Sequence, residues 1–181
     1  MAAKVIDITQ YNPTAIDSFF FDNSVWMYLF CPLGNYNSTK QKYYSSFLQS
    51  IKTSNGTIFI SSLVLSEFAN RYLRMDFERW KFENNNPTAK FKRDFVGTPR
   101  YNTTVEEIKR NINQIMRVCN KTHDNFNSIE IKSIFQHLPV IDFNDGYYIE
   151  LAKLGNWKIV TDDKDFIKSS GHSLEIITSH N

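Results

Sequence analysis

Four carboxylates in this chain occupy positions from which acids do chemistry. Asp22 ends the apolar run Ser18-Phe19-Phe20-Phe21, and Asp163 closely follows Lys158-Ile159-Val160-Thr161. Asp145 comes just after Val140-Ile141-Asp142-Phe143, and Glu67 a few residues after Thr57-Ile58-Phe59-Ile60. In an open parallel sheet, ligands collect in the crevice beyond the carboxyl ends of the strands. Acids gathered there repel one another: at an effective dielectric near 20, a pair about 4 Å apart costs about 4 kcal/mol. A hard divalent cation offsets that cost, and carboxylate oxygens suit Mg²⁺ or Mn²⁺. Zinc fits poorly, because His123, His137, His172 and His180 show no zinc-motif spacing. Each acid could instead cap a helix. Asp145 or Asp163 would then simply favour a helix dipole, but Glu67 sits beside Val64 and Phe68, and a glutamate is rarely buried without a partner.

The elements that must position these acids alternate. Strands are predicted at residues 18–21, 57–60, 140–143 and 158–160, with a fifth at 174–177. Asn23 and Ser24 can cap a helix over 25–30, which Pro32 and Gly34 end. Tyr43, Tyr44, Phe47, Leu48 and Ile51 recur at helical spacing over 39–52. Ser61 or Ser62 can start a helix that carries Leu63, Val64, Glu67, Phe68, Arg71 and Tyr72 and runs past Trp80. Thr104-Val105-Glu106-Glu107 fits a capping box for a helix reaching Cys119. A short helix is expected over 128–137. Asn144 is expected to cap another over 145–154, which Gly155 closes. Strands alternating with helices imply an α/β fold, a single-domain α/β/α sandwich with a mostly parallel central sheet.

Length and composition agree. A chain of 181 residues with 41% hydrophobic and 15% aromatic content can bury a substantial core as one domain. A net charge of +2 selects no partner. Two cysteines, Cys31 and Cys119, are too few for a disulfide framework and suit a reducing compartment. Neither a leader-like apolar run at the start nor a membrane-spanning stretch is read, so the expectation is a cytoplasmic protein away from membranes.

Strand-Asp22-Asn23-Ser24, Ser66-Glu67-Phe68, Asp145 opening a helix that carries Ala152, and Val160-Thr161-Asp162-Asp163-Lys164-Asp165-Phe166 together resemble the PIN-domain nucleases. The pattern is similar above all to the VapC-type toxins of toxin–antitoxin pairs. The resemblance spans most of the chain in the family's motif order, and its last motif is the most specific. It implies that Asp22, Glu67, Asp145 and Asp163 are both catalytic and metal-binding. Thr161 would steady the last acid, with Asp165 and Asp162 as auxiliaries. Asp142 competes for the Asp145 role, although the strand reading puts it inside the strand rather than at its mouth. The implied reaction is Mg²⁺- or Mn²⁺-assisted hydrolysis of RNA phosphodiester bonds. Glu67 is left as either a ligand or a group that orients water. The implied partners are an RNA substrate, an antitoxin protein and a second copy of the chain. Residues 76–103 look like an elongated helix and inserted loop beyond the shorter toxin relatives, and Gly146 follows Asp145 where the family often has Ala.

An RNA substrate needs cationic and stacking groups near the acids. Arg71, Arg74, Arg79 and Lys81 share the helix of Glu67, while Lys90, Lys92 and Arg93 interleave with Phe91 and Phe95. That mixture suits single-stranded nucleic acid, and a solvated helix face with packing aromatics is the plainer alternative. Two other functions compete. A PIN-like RNA-binding module without activity would normally lack part of the acidic quartet. An aspartyl-phosphate phosphatase usually has a second Asp two residues after its nucleophile, and here that residue is Ser24.

Overall fold

The computed structural model describes residues 4–168 and 174–180; His172, one of the four histidines without zinc-motif spacing, lies outside them. Six strands form one sheet in which every neighbouring pair is parallel, in the order β1-β6-β5-β2-β3-β4. They are β1 Lys4–Asp7, β2 Ser18–Phe21, β3 Thr57–Ile60, β4 Asn120–Lys121, β5 Lys158–Val160 and β6 Glu175–Thr178. The helices are α1 Asn23–Phe30, α2 Ser38–Ser54, α3 Ser62–Glu83, α4 Pro99–Met116, α5 Ile131–His137, α6 Phe143–Gly155 and α7 Asp165–Lys168. A π-helical turn spans Phe91–Phe95 and a 3₁₀ turn spans Phe126–Ser128. Among the described residues no helix is long and apolar enough to cross a membrane.

The central strands are central because both of their faces are covered. Phe19, Phe20, Phe21, Ile159, Val160, Ile176 and Ile177 are all fully buried, as strands with helices on both faces must be. Phe20 stacks on Trp157 at 6.0 Å and lies 5.2 Å from Tyr148, so ring packing ties β2 to α6 and to the entry of β5. The chain order reverses between β5 and β2, which are neighbours although far apart in sequence. Phe21 pairs with Val160, and the Asp22 amide donates to the Val160 carbonyl at 3.0 Å. Asp22 and the residues after Val160 therefore leave the sheet side by side at its carboxyl edge.

The predicted strand over 140–143 is not formed. After Pro139 the chain turns, with the Val140 and Ile141 amides donating to the His137 carbonyl at 2.9 and 3.1 Å. Ile141 alone packs inward, whereas Val140 and Phe143 are exposed. Asp142, not Asn144, is the N-cap of α6: its carboxylate accepts from the Asp145 amide at 3.0 Å. Instead β4, two exposed polar residues, forms an edge strand beside β3. The helix predicted from Thr104 begins earlier, at Pro99, where Thr98 accepts from the Tyr101 amide at 3.1 Å. Proline at the first helical position is already fixed in helical φ. Thr104 is no cap. It is buried inside α4 and donates to Asp76 at 2.5 Å.

Beyond the main core, α3 runs on to Glu83 and its last turns pack on the π-helical turn. Phe77, Ala89 and Phe95 form a second small core with Trp80, Phe91 and Tyr101 against it.

Candidate active site

Asp22 is the N-cap of α1 and is almost fully buried. Three donors converge on its Oδ2: the Ser24 hydroxyl at 2.6 Å, the Ser24 amide at 3.2 Å and the Thr161 hydroxyl at 3.0 Å. Burial nevertheless raises its pKa, with the Ser24 and Thr161 bonds opposing. Thr161, fully buried just after β5, also accepts from the Asp163 amide at 2.9 Å through the same hydroxyl oxygen. One side chain thus couples the end of β2 to the loop that carries Asp163. Asp163 in turn accepts from the Asp165 amide at 2.8 Å, which starts α7.

Thr161→Val tests this junction. The change keeps shape but leaves the Asp163 amide and one lobe of Asp22 without their shared partner. A buried donor or acceptor left unpaired costs about 1–3 kcal/mol, and thermal melting should show a loss of that order. An unchanged melting temperature would mean that the hydroxyl is dispensable.

Glu67 stands in the second turn of α3, where Ser61 provides the cap position. It accepts from the Tyr148 hydroxyl of α6 at 2.9 Å. Burial raises its pKa first, then the negative charge of Asp22, and Tyr148 opposes. The amide of Asn23 lies beside Glu67, near enough to favour its charged form, yet buried without a bonded partner. Asp145, in the first turn of α6, is the most perturbed carboxyl. Burial, then the charges of Asp22, Asp142, Asp163 and Glu67, push its pKa up to about 9. All three other members of the predicted quartet therefore act electrostatically on Asp145, with exposed Asp142 as a fifth acid.

Among the described residues, no group of three or more His, Cys, Asp or Glu side chains is arranged to hold a metal ion. The side chains follow local donors instead: Asp22 turns to Ser24 and Thr161, Asp163 to Asp165, and Glu67 to Tyr148. Repelling carboxylates are expected to separate onto such donors. In donor chemistry the set fits a hard divalent cation, being entirely oxygen and mutually repulsive.

The auxiliary residues divide. Asp165 pairs with exposed Lys168 at 2.7 Å within α7. Asp162 belongs to a separate network in which Lys40 at 2.8 Å, Tyr28 at 2.9 Å, Tyr44 at 3.0 Å and Ser179 at 2.9 Å all donate to its carboxylate. Burial opposes ionisation there, but those donors prevail and lower its pKa. Asp162 is thus a tie between α2, β5 and the end of β6. His137 is buried and bonded to Glu150 at 2.8 Å, so it is a packing residue.

Of the predicted substrate-binding residues, Arg71 lines a cleft that one member of the quartet reaches. That opening, about 490 Å³, is also lined by Tyr28, Asp163, Lys164 and Lys168. Arg74 lies 4.2 Å over the Phe91 ring instead. Arg93 pairs with Asp94 at 2.7 Å, and the Lys90 amide also donates to Asp94. Lys92 is exposed on the same π-helical turn. Phe95 is fully buried in the second core and Phe91 packs on it at 5.7 Å. The interleaved rings are thus packing residues. One position at the site escaped sequence reading, Tyr148, the partner of Glu67, while Asp142, weighed as a rival of Asp145, adds a further charge beside it. Tyr148 was readable as a tyrosine one helical turn after Asp145, but nothing in the sequence identifies Glu67 as its partner.

Comparison with curated proteins finds no match. Among solved structures, VapBC2 from Rickettsia felis, bound to a DNA fragment from its promoter, aligns with a TM-score of 0.49 and 15% identity, covering 88% of this chain and 98% of that one. PAE2754 from Pyrobaculum aerophilum aligns with a TM-score of 0.48 and 13% identity, covering 96% of this chain and 90% of that one. The PIN domain family matches residues 19–171, from inside β2 to beyond α7. With the parallel sheet, the acids at its carboxyl edge and that match over most of its length, the chain belongs to the PIN domain family.

Proposed function

We propose that this PIN-domain chain is an Mg²⁺- or Mn²⁺-dependent endoribonuclease whose site is Asp22, Glu67, Asp145 and Asp163. The observation that carries the reading is the surroundings of Asp145, where burial and the charges of Asp22, Asp142, Asp163 and Glu67 all raise its pKa. PIN domains are generally nucleases, and that environment is what an empty cation site made of oxygen donors would have. When bound, a divalent cation supplies charge compensation for the phosphodiester and acidifies water at the site.

The chain's own residues do the rest. Asp22, Asp145 and Asp163 would hold the cation, with Glu67 either sharing that task or orienting the attacking water. Thr161 and Ser24 fix the Asp22 carboxylate, so one ligand is set in place before any cation arrives. Tyr148 holds Glu67 at a defined distance from the sheet edge. A cation held there would favour the ionised form of Asp145, whose pKa burial and the neighbouring acids raise. Arg71, from the cleft that also contains Asp163, would take a phosphate of the strand beyond the scissile bond. Arg74, Lys90, Lys92 and Arg93 would add longer-range attraction to the RNA backbone.

The toxin role belongs to the same proposal and rests on the motif resemblance to VapC-type chains. It carries an antitoxin partner, a homodimer and a cytoplasmic site of action with it. A small reading frame beside the gene, together with growth arrest on expression alone, would bear that out. Growth without arrest would leave a stand-alone nuclease.

The test is an incubation of RNA oligonucleotides with Mg²⁺ or Mn²⁺. Internal cleavage that chelator stops, without turnover of a phosphate monoester, is the expected result. Binding without cleavage would favour an inactive PIN-like module, and monoester hydrolysis would favour a phosphatase.

A further inference from the structure

A second cleft opens beside the helices that carry Glu67 and Asp145. It measures about 400 Å³ and lies between the N-terminal turns of α3 and α6, with Leu63 and Ser66 on one wall and Phe143 and Tyr147 on the other. The 3₁₀ turn contributes Phe126. Ser66 immediately precedes Glu67 in α3, and Phe143 and Tyr147 lie two residues either side of Asp145 in α6. The cleft and the acids therefore share both helices.

Its rings are unusually open for large apolar groups. Phe126 is 55% exposed and Phe143 42% exposed, while Tyr147 is buried. Tyr147 touches both, with centroids 6.5 Å from Phe126 at 30° and 6.5 Å from Phe143 at 20°. Tyr147 thus carries a ring on either side, one tilted and one stacked, and each leaves part of its surface to solvent.

Phe126 is exposed on a backbone that is held in place. Asn125 adopts the left-handed conformation at φ 51° before it, and the Phe126 amide donates to Asp124 Oδ1 at 3.3 Å. The Ser128 amide closes the turn on the Asn125 carbonyl at 2.8 Å, and the Tyr147 hydroxyl donates to the Asp124 carbonyl. A segment tied at these points presents its aromatic ring to solvent in a fixed pose.

Charge narrows the occupant. No Lys or Arg lines the cleft, and Asp124 is its only charged wall residue. A phosphate would meet repulsion there, whereas a neutral planar group would meet ring faces and the Ser66 hydroxyl. Stacking on aromatic side chains, tolerant of sequence, is how proteins hold bases of unpaired strands. We infer that this cleft stacks an unpaired nucleobase of the RNA strand against Phe126 and Phe143, with the adjoining phosphate directed to the acids. The inference rests on the ribonuclease reading and adds that the substrate is single-stranded where it is cut.

The experiment measures anisotropy of a short, fluorescently labelled single-stranded RNA in chelator, and its cleavage in Mg²⁺. Wild type is compared with Phe126→Leu, Phe143→Leu and Phe143→Trp, and the same RNA is offered as a duplex. Because both phenylalanines are exposed, near-wild-type melting should accompany each change. Each Leu variant should weaken binding or raise KM on the order of 10-fold, from the loss of one stacking partner. kcat should stay close to wild type, Phe143→Trp should restore binding, and the duplex should be cut slowly. Leu variants that bind and cleave as wild type overturn the platform, leave the nuclease reading intact and turn attention to a protein partner for the cleft. Ring-dependent binding by a wild type that never cleaves supports the platform and overturns the nuclease reading. Wild type that neither binds nor cleaves RNA overturns both.

Discussion

Asp145→Asn is expected to melt above the wild type in chelator at pH 7–8 while losing RNA cleavage. Burial and the charges of Asp22, Asp142, Asp163 and Glu67 raise the Asp145 pKa from 3.8 to about 9. The unfolded chain ionises this group near its ordinary value, so between about pH 4 and about pH 9 the unfolded state binds fewer protons than the native state. Stability therefore falls as pH rises through that window, by at most about 1.4 kcal/mol per unit. Below it both states are protonated and the penalty vanishes. Asparagine never ionises and escapes the whole term. Because solvent still reaches this half-buried carboxyl, screening reduces the gain to about 1–3 kcal/mol near pH 8.

The lost helix-dipole interaction in the first turn of α6 works against the gain, by about 0.3–1 kcal/mol. Asp142 remains as the cap. Melting curves in chelator from pH 4 to pH 9 should show wild type and variant together at the acid end and separating as pH rises. Mg²⁺ should then stabilise wild type more than the variant, because a ligand that binds only the native state adds stability by mass action. Asp22→Asn should gain less, since its carboxylate accepts the Ser24 and Thr161 bonds that fix the junction. Parallel curves for wild type and Asp145→Asn at every pH would contradict a shared electrostatic cluster.

Arg100→Ala should produce the largest loss of stability. Asp76 is 1% exposed, and Arg100 holds it from α4 with Nε 3.0 Å from each carboxylate oxygen and Nη2 2.5 Å from one. Thr104 supplies the remaining bond at 2.5 Å. Removing the guanidinium leaves a buried charge with one neutral donor, which costs about 3–5 kcal/mol. For a chain of this length that corresponds to a fall of roughly 10 °C in melting temperature. Replacing both partners with apolar residues, as in Asp76→Leu with Arg100→Met, should recover much of the loss, because the pair's worth lies largely in mutual compensation. The Phe77–Phe95 core sits next to this pair, so proteolysis of the single variant should begin around residues 84–98. Arg100→Ala with wild-type melting would mean that α3 and α4 are held by packing alone.

The sequence made the inner sheet legible because its strands are short runs with both faces buried: Phe19 to Phe21, Ile58 to Ile60, and Ile159 with Val160. Edge strands carry no such signature. β4 consists of two exposed polar residues, and in β1 Lys4 and Val5 are exposed. The false strand at 140–143 shows the opposite error. Val140, Ile141 and Phe143 are an apolar run in sequence, yet only Ile141 faces inward, and Asp142 ends the run by capping α6. The positions of Asp22 and Asp163 were legible because strand ends in a parallel sheet share one edge, whereas Asp145 follows no strand and sits instead in the first turn of α6, which Asp142 caps. The individual hydrogen bonds of these acids were not legible. Tyr148 meets Glu67 only because α3 and α6 come together at the same edge, and the pairing of Asp162 with Lys40 depends on how α2 sits against the end of β5, which no local pattern encodes. In the stretch 90–95 the aromatic residues serve a second core, which the sequence does not distinguish from a stacking surface.

The most direct measurement is the single-turnover rate of Mg²⁺-dependent cleavage of a single-stranded RNA by Asp145→Asn, beside wild type and with folding verified by melting. A loss of about a hundredfold or more, in a protein at least as stable as wild type in chelator, is expected if the acids act as one cation-dependent site. Cleavage by Asp145→Asn at the wild-type rate would contradict it.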